Sequence, residues 1–247
     1  MLKFFARDRK TDILNYTKDY ISKNKNLREI IEYANGCSKS SGVSLSDYVA
    51  LYQTVRRNKP KFVLECGTGK TTMIIAQAMI DNCEESPCNE LKLISMEHNK
   101  EWYDHAVSLI PEKFNGFLEI HYSPMDTYGY SFIRGTVYKE TPDYPYEFVF
   151  VDGPSQGFEG EATMCNMALA KVVEMSEKPV TALIDNRKHT VLAYTMIFGV
   201  DKVKYYLDWS LGFVNGVTCH DMLLHDKNVM KRTIFKSAVQ LDHGNPF

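Results

Sequence analysis

Phe62-Val63-Leu64-Glu65-Cys66-Gly67-Thr68-Gly69-Lys70-Thr71-Thr72 is the stretch whose reading decides the fold. Its apolar start reads as a short buried strand. Two glycines then permit a sharp turn, and residues 72–82 (TMIIAQAMIDN) read as a helix. A strand, a tight glycine turn and a helix form the first half of a βαβ unit, which needs a second parallel strand beyond the helix.

Outward from this stretch the alternation repeats. Leu91–Met96, Phe117–Tyr122, Phe148–Val151 and Val180–Ile184 read as strands, with helices over about 101–110, 160–176 and 189–198. Strands separated by helices imply a parallel sheet covered on both faces. Val203–Trp209 and Cys219–Leu224, joined through Gly212, Asn215 and Gly216, read as an antiparallel hairpin. Before residue 59 no strand signal occurs. Ile13–Tyr16–Tyr20 and Leu27–Ile30–Tyr33 keep helical spacing, and Ser44-Leu45-Ser46-Asp47 has the form of a capping box ahead of a helix that stops before Pro60. The division expected is 1–58 as an N-terminal helical cap and 59–247 as the α/β domain. Residues 123–146 read as a long loop carrying Tyr128, Tyr130, Phe132, Tyr138, Tyr144 and Tyr146, a candidate lid over a substrate.

Bulk properties narrow the function. The 247 residues carry 29 basic and 31 acidic side chains, a net charge of -2, which gives no strong nucleic-acid signal. The six cysteines (Cys37, Cys66, Cys83, Cys88, Cys165, Cys219) are scattered without metal-ligand spacing and read as free thiols of a reducing compartment. No apolar run reaches membrane-spanning length, so the expected location is cytoplasmic.

Ligands of open α/β sheets sit at the carboxyl ends of the strands, which points to the turn after Cys66. Gly69-Lys70-Thr71 has the look of a Walker A ending, and Phe148–Asp152 that of Walker B. The glycine that a P-loop needs five positions before Gly69 is Leu64, however, inside the strand. A dinucleotide fingerprint needs Gly or Ala where Thr72 stands. A nucleotide hydrolase and a non-catalytic Rossmann-like binding module stay open as rivals at this point.

An acidic strand end followed by x-G-x-G resembles motif I of the class I S-adenosylmethionine (SAM)-dependent methyltransferases, and the likeness spans roughly residues 60–225. The resemblance implies a Rossmann-like, mostly parallel seven-stranded sheet with helices on both faces, a C-terminal antiparallel hairpin and an N-terminal helical extension. It implies that Glu65, Cys66, Gly67, Thr68, Gly69, Thr71 and Thr72 surround the amino-acid end of SAM, with Glu65 bearing on its ammonium. Glu97, at the end of the second strand, would take the ribose hydroxyls and His98 would frame the adenine. Asp126 would meet the adenine amino group, and Asp152 would lie over the transferred methyl. Asp152, Asp185 and Asn186 are similar in position to the residues with which catechol-type O-methyltransferases hold a divalent metal, so Mg²⁺ is an implied second cofactor. The alternative keeps Asp152 and Asp185 as polar residues of the catalytic site without a metal, with Asp152 or His189 as general base. Asp152-Gly153-Pro154 and Arg187-Lys188 depart from the catechol-type pattern. The expected reaction is O-methylation of a small molecule or sugar, with a homodimer as one role for the N-terminal helices.

Overall fold

The structure, a computed structural model, describes residues 2–38, 44–86, 90–158, 160, 164–222 and 240–242. Helices α1 (Leu2–Lys23), α2 (Lys25–Cys37) and α3 (Leu45–Asn58) come first. Ser44 caps α3 as expected: its hydroxyl accepts from the Asp47 amide, and the Asp47 carboxylate accepts from the Ser44 amide. The chain then alternates through β1 (Phe62–Cys66), α4 (Lys70–Glu85), β2 (Lys92–Glu97), α5 (Lys100–Val107) and β3 (Leu118–Tyr122). After β4 (Met125–Tyr130), β5 (Ile133–Tyr138), β6 (Phe148–Val151) and β7 (Cys165–Asn166) come α6 (Ala168–Glu174), β8 (Val180–Asp185) and α7 (Lys188–Phe198). The chain closes with β9 (Val203–Tyr206), β10 (Leu211–Val217) and β11 (Gln240–Asp242).

The main sheet runs β11-β9-β10-β8-β6-β1-β2-β3. Pairs from β3 to β8 are parallel, and β10 is antiparallel to both β8 and β9. This is the expected Rossmann-like α/β sheet of seven strands, extended at its edge by β11, which pairs parallel to β9. Strand alternation splits the core in two. Val63, Leu93, Phe148 and Phe150 face α2, α3 and α4, while Leu64, Ile94, Val149 and Ile184 face α6, α7 and the β4–β5 hairpin.

Three expectations change. The hairpin's second arm is Leu211–Val217, not Cys219–Leu224, whose last two residues lie outside the described part. Gly212 is therefore inside a strand: a Cβ there would lie 2.5 Å from Val191 Cγ2, so the glycine serves close packing of α7 on the sheet. Residues 123–146 are not a long loop. Met125–Tyr130 and Ile133–Tyr138 form an antiparallel pair, joined by β7 into a second small sheet. Tyr130, Tyr138 and Tyr146 point inward and donate to the carbonyls of Met222, Met96 and Pro142. Finally, Cys83 is disulfide-bonded, with its partner outside the described residues, while Cys37, Cys66, Cys165 and Cys219 are free thiols. Among the described residues no helix is long and apolar enough to cross a membrane.

One buried carboxylate joins the N-terminal helices to the domain. Asp81 of α4 accepts from Asn26 of α2 (2.8 Å), from Gln77 (2.8 Å) and from the Tyr52 hydroxyl of α3. Asp81→Ala strands the Tyr52 hydroxyl and Gln77 amide, at an expected cost of about 3 kcal/mol in denaturant unfolding, whereas Tyr52→Phe should cost about 1 kcal/mol. Equal small losses for both would show that the network does not hold the helices.

Candidate functional site

The turn between β1 and α4 is only Gly67, Thr68 and Gly69. The amides of Gly67 and Thr68 both donate to Met96 O at 3.1 Å, which fastens the turn to the end of β2. Gly67 has φ +102, and a Cβ on it would lie 3.0 Å from the Asp152 carbonyl carbon. Gly153 faces it from the other side, where a Cβ would lie 2.8 Å from Gly67 Cα and 2.6 Å from the Tyr138 hydroxyl. The ends of β1, β2 and β6 thus meet backbone to backbone. A triphosphate has no room to be wrapped beneath so short and compressed a turn.

Each strand end contributes a carboxyl group. Glu65 is completely buried and accepts from Thr71 Oγ1 (2.6 Å), Thr72 Oγ1 (2.5 Å) and Ser95 Oγ (2.6 Å). Burial pushes its carboxyl up to about 7, although the three hydroxyls favour the ionised form. Its two oxygens therefore brace the turn from beneath, and Thr72 Oγ1 also accepts from the Gly69 amide at 3.0 Å. Cys66 is buried as well, its thiol pushed well up by burial. At the end of β2, Glu97 Oε1 accepts from the amides of His98 and Asn99, both at 2.8 Å, and lies 3.1 Å from His98 Nδ1. Among the described residues Oε2 takes no hydrogen bond, so one carboxylate oxygen remains for a hydroxyl-bearing ligand beside the glycine turn. The first turn of α4 takes no side-chain cap from Gly69, which leaves helix-terminal amides for a ligand carboxylate.

Asp126 stands elsewhere. β3 ends at Tyr122, the chain turns at Pro124, and Asp126 is exposed on β4 opposite Val137. The residue that the strand end does present is Ser123, buried and tied by its amide to Glu97 O at 2.9 Å. His189 is exposed on the first turn of α7.

Asp152 and Asp185 are brought together across the β6–β8 pair and hydrogen-bond to each other. Burial raises both carboxyls. Asp185 reaches about 7, helped by the negative charges of Asp152 and Asp47 and opposed by Arg187. Asn186 Oδ1 accepts from the Tyr205 hydroxyl at 3.2 Å. Arg187 donates through Nη2 to Asp152 Oδ1 at 3.0 Å and to the Asp152 main-chain oxygen. Asp152 Oδ1 and Asn186 Oδ1 are thus already engaged by Arg187 and Tyr205, and among the described residues no three His, Cys, Asp or Glu form a metal-ligating group.

Beyond Asp185 opens a cavity of about 540 Å³. Thr17 and Leu14 of α1, Asp47 of α3, Asn186 and the β9–β10 turn residues Asp208 and Trp209 line it. Thr17 is fully buried, and its hydroxyl has no hydrogen-bond partner among the described residues. Sequence reading missed this group. Asp47 announced only a helix cap, and Trp209 only a strand, because nothing local shows that α1 and α3 reach the end of β8.

No protein-family model matches the chain, and no curated protein matches its sequence. Among solved structures it is similar to the O-methyltransferase from Bacillus cereus in complex with S-adenosylhomocysteine (SAH), at 16% identity over 81% of this chain and 96% of that one, TM-score 0.49. It is also similar to SAH-bound methyltransferase PaMTH1 from Podospora anserina (16% identity, 77% and 74% covered, TM-score 0.44). A third is the O-methyltransferase TomG from Streptomyces achromogenes in complex with SAM (16% identity, 70% and 69% covered, TM-score 0.42).

The raised Glu65 carboxyl makes a stability prediction. A folded-state value near 7, above the unfolded value of 4.5, means that stability is fully present below about 4.5 and falls as pH rises through 7. Glu65→Gln removes this titration. The wild type should lose up to about 3 kcal/mol relative to the variant between pH 4.5 and 8, read by denaturant unfolding across pH. Parallel curves would mean that Glu65 does not titrate in this way.

Proposed function

We propose that the chain is a SAM-dependent methyltransferase that methylates an oxygen of a small molecule. The observation that carries the reading is the double donation of Gly67 and Thr68 to Met96 O, which fuses a compressed glycine turn to the residue before Glu97. The donor set fits SAM. It offers helix-terminal amides for a carboxylate and a buried acidic residue for ribose hydroxyls, without a phosphate cradle. When bound, SAM would supply a methyl on a sulfonium for transfer to the acceptor oxygen, with the S–CH₃ electron pair left on sulfur.

The chain's own residues hold and align. Thr68, Gly69, Thr71 and Thr72 shape the turn, Glu65 holds it rigid from below, Glu97 takes a ribose hydroxyl through Oε2, and His98 borders the same end. The Asp152–Asp185 pair receives the acceptor's proton, with Asp185 ionised above about pH 7. The acceptor occupies the cavity beyond Asp185. Its lining of carboxylates, the unpartnered Thr17 hydroxyl and Trp209 favours a hydroxyl-rich molecule of the sugar class. Residues 1–58 act as a cap because α1 and the start of α3 supply one wall of that cavity, over a catalytic domain of 59–247.

Titration calorimetry tests this reading. SAH should bind and ATP with Mg²⁺ should not. Glu97→Ala should weaken SAH by at least roughly tenfold, the low end of the value of one hydrogen bond to a charged group. ATP binding without SAH binding would replace the proposal with a nucleotide hydrolase, and silence for both would favour a binding module.

A further inference from the structure

Arg187 is built into the site rather than laid over it. Besides its two bonds to Asp152, its Nη1 donates to Asn166 Oδ1 at 3.0 Å and to Pro154 O at 3.3 Å. Asn166 is fully buried, and its own amide is fixed on Thr136 Oγ1 (3.0 Å) and Pro154 O (2.7 Å). The guanidinium side chain is mostly buried, and its Nε is sealed from solvent with no partner among the described residues. A rigid planar fork held by four acceptors is a fixed charge with a fixed orientation. A divalent ion held by Asp152, Asp185 and Asn186 would compete with Nη2 for Asp152 and with the Tyr205 hydroxyl for Asn186, and would face an immobile positive charge on the same carboxylate.

We propose that Arg187 is the resident cation of this site, standing where a divalent ion would bridge Asp152 to Asp185 and positioning Asp152 for a reaction that needs no such ion. The role of Asp152 rests on the methyl-transfer reading, while the occupancy of the cation position does not. Under that reading the acceptor's proton goes to the aspartate pair, and no metal-bound oxygen takes part. Arg187 is a positioning residue: it acts through Asp152 and the Asp152–Pro154 turn.

The test is metal binding by the full chain, read by calorimetry and thermal unfolding with Mn²⁺ and Mg²⁺. The wild type should show neither heat nor a shift in midpoint. Arg187→Met frees the carboxylate and should gain a Mn²⁺ site at least about tenfold tighter than any in the wild type, and Asp152→Asn in that background should remove it. Arg187→Lys keeps a cation at the carboxylate and should stay silent. Wild-type binding of either ion that Asp152→Asn abolishes overturns the proposal, as does a folded Arg187→Met that binds no Mn²⁺. If Arg187→Met fails to fold, wild type against Asp152→Asn still decides. SAH binding on the same samples separates the two questions. Metal silence without SAH binding would sink methyl transfer alone, and SAH binding with an Asp152-dependent metal site would sink the cation proposal alone.

Discussion

A single carbonyl oxygen, that of Met96, gathers three donors: the amides of Gly67 and Thr68 and the hydroxyl of Tyr138, each at 3.1 Å. Buried donors must find acceptors, and here three elements find the same one. The β1 turn, the end of β2 and the β4–β5 hairpin are pinned at one point, and the Gly67–Gly153 contact adds the end of β6. Side chains cannot enter so tight a knot, which is why glycine stands on both sides of it. Its neighbours inherit fixed positions. Glu97 directly follows Met96, and Asp152 directly precedes Gly153. The helices and the two cores hold the strands in the register that makes this convergence occur.

Convergence has an electrostatic cost, because it brings Glu65, Glu97, Asp152 and Asp185 to neighbouring strand ends. Each carboxyl meets that cost differently. Glu65 is surrounded by hydroxyls, Glu97 accepts the amides that open α5, Asp152 is held by Arg187, and Asp185 shares a hydrogen bond with Asp152. Burial raises the carboxyls of Glu65, Asp152 and Asp185, so the protein has concentrated ionisable groups where solvation is poorest. Such an arrangement suits a cationic cofactor far better than a phosphorylated one.

Much of this was legible in the sequence, for physical reasons. Strands buried on both faces must be apolar throughout, so Phe62–Leu64 and Phe148–Val151 announced themselves. The parallel topology then put Glu65, Glu97, Asp152 and Asp185 at strand ends by spacing alone. The β4–β5 hairpin was hidden because it mixes Tyr130 and Val137 facing inward with Asp126, Gly129 and Arg134 exposed, and it turns at Ser131 (φ 56) rather than at an Asn-Gly pair. Asp126 read as a β3 strand end and stands on β4 instead, since the end of β3 could not be told from the start of β4. Gly212 read as a turn because close packing and tight turning select the same residue. The bond from Arg187 to Asp152 spans 35 positions and exists only because β6 pairs with β8 in the register Val151↔Ile184.

The two sides of the proposed reaction are built from different materials. The cofactor side is mostly backbone: the Gly67–Gly69 turn, the Met96 carbonyl and the amides that start α4 and α5. Substitution alters such a surface only by breaking it, as the 2.6–3.0 Å spacings around Gly67 and Gly153 make plain. The acceptor side is made of side chains from four separate elements, with Thr17 on α1, Asp47 on α3, Asp185 on β8 and Trp209 in the β9–β10 turn. Three of the four lie outside the sheet, and the contacts that seat α1 there are local: Tyr16 packs edge-on to Trp209, and Arg9 pairs with Asp208 at 3.5 Å. Under the proposed reaction, a site so divided changes its acceptor by exchanging a few side chains, while the strand-end knot keeps the turn beside Glu97 constant.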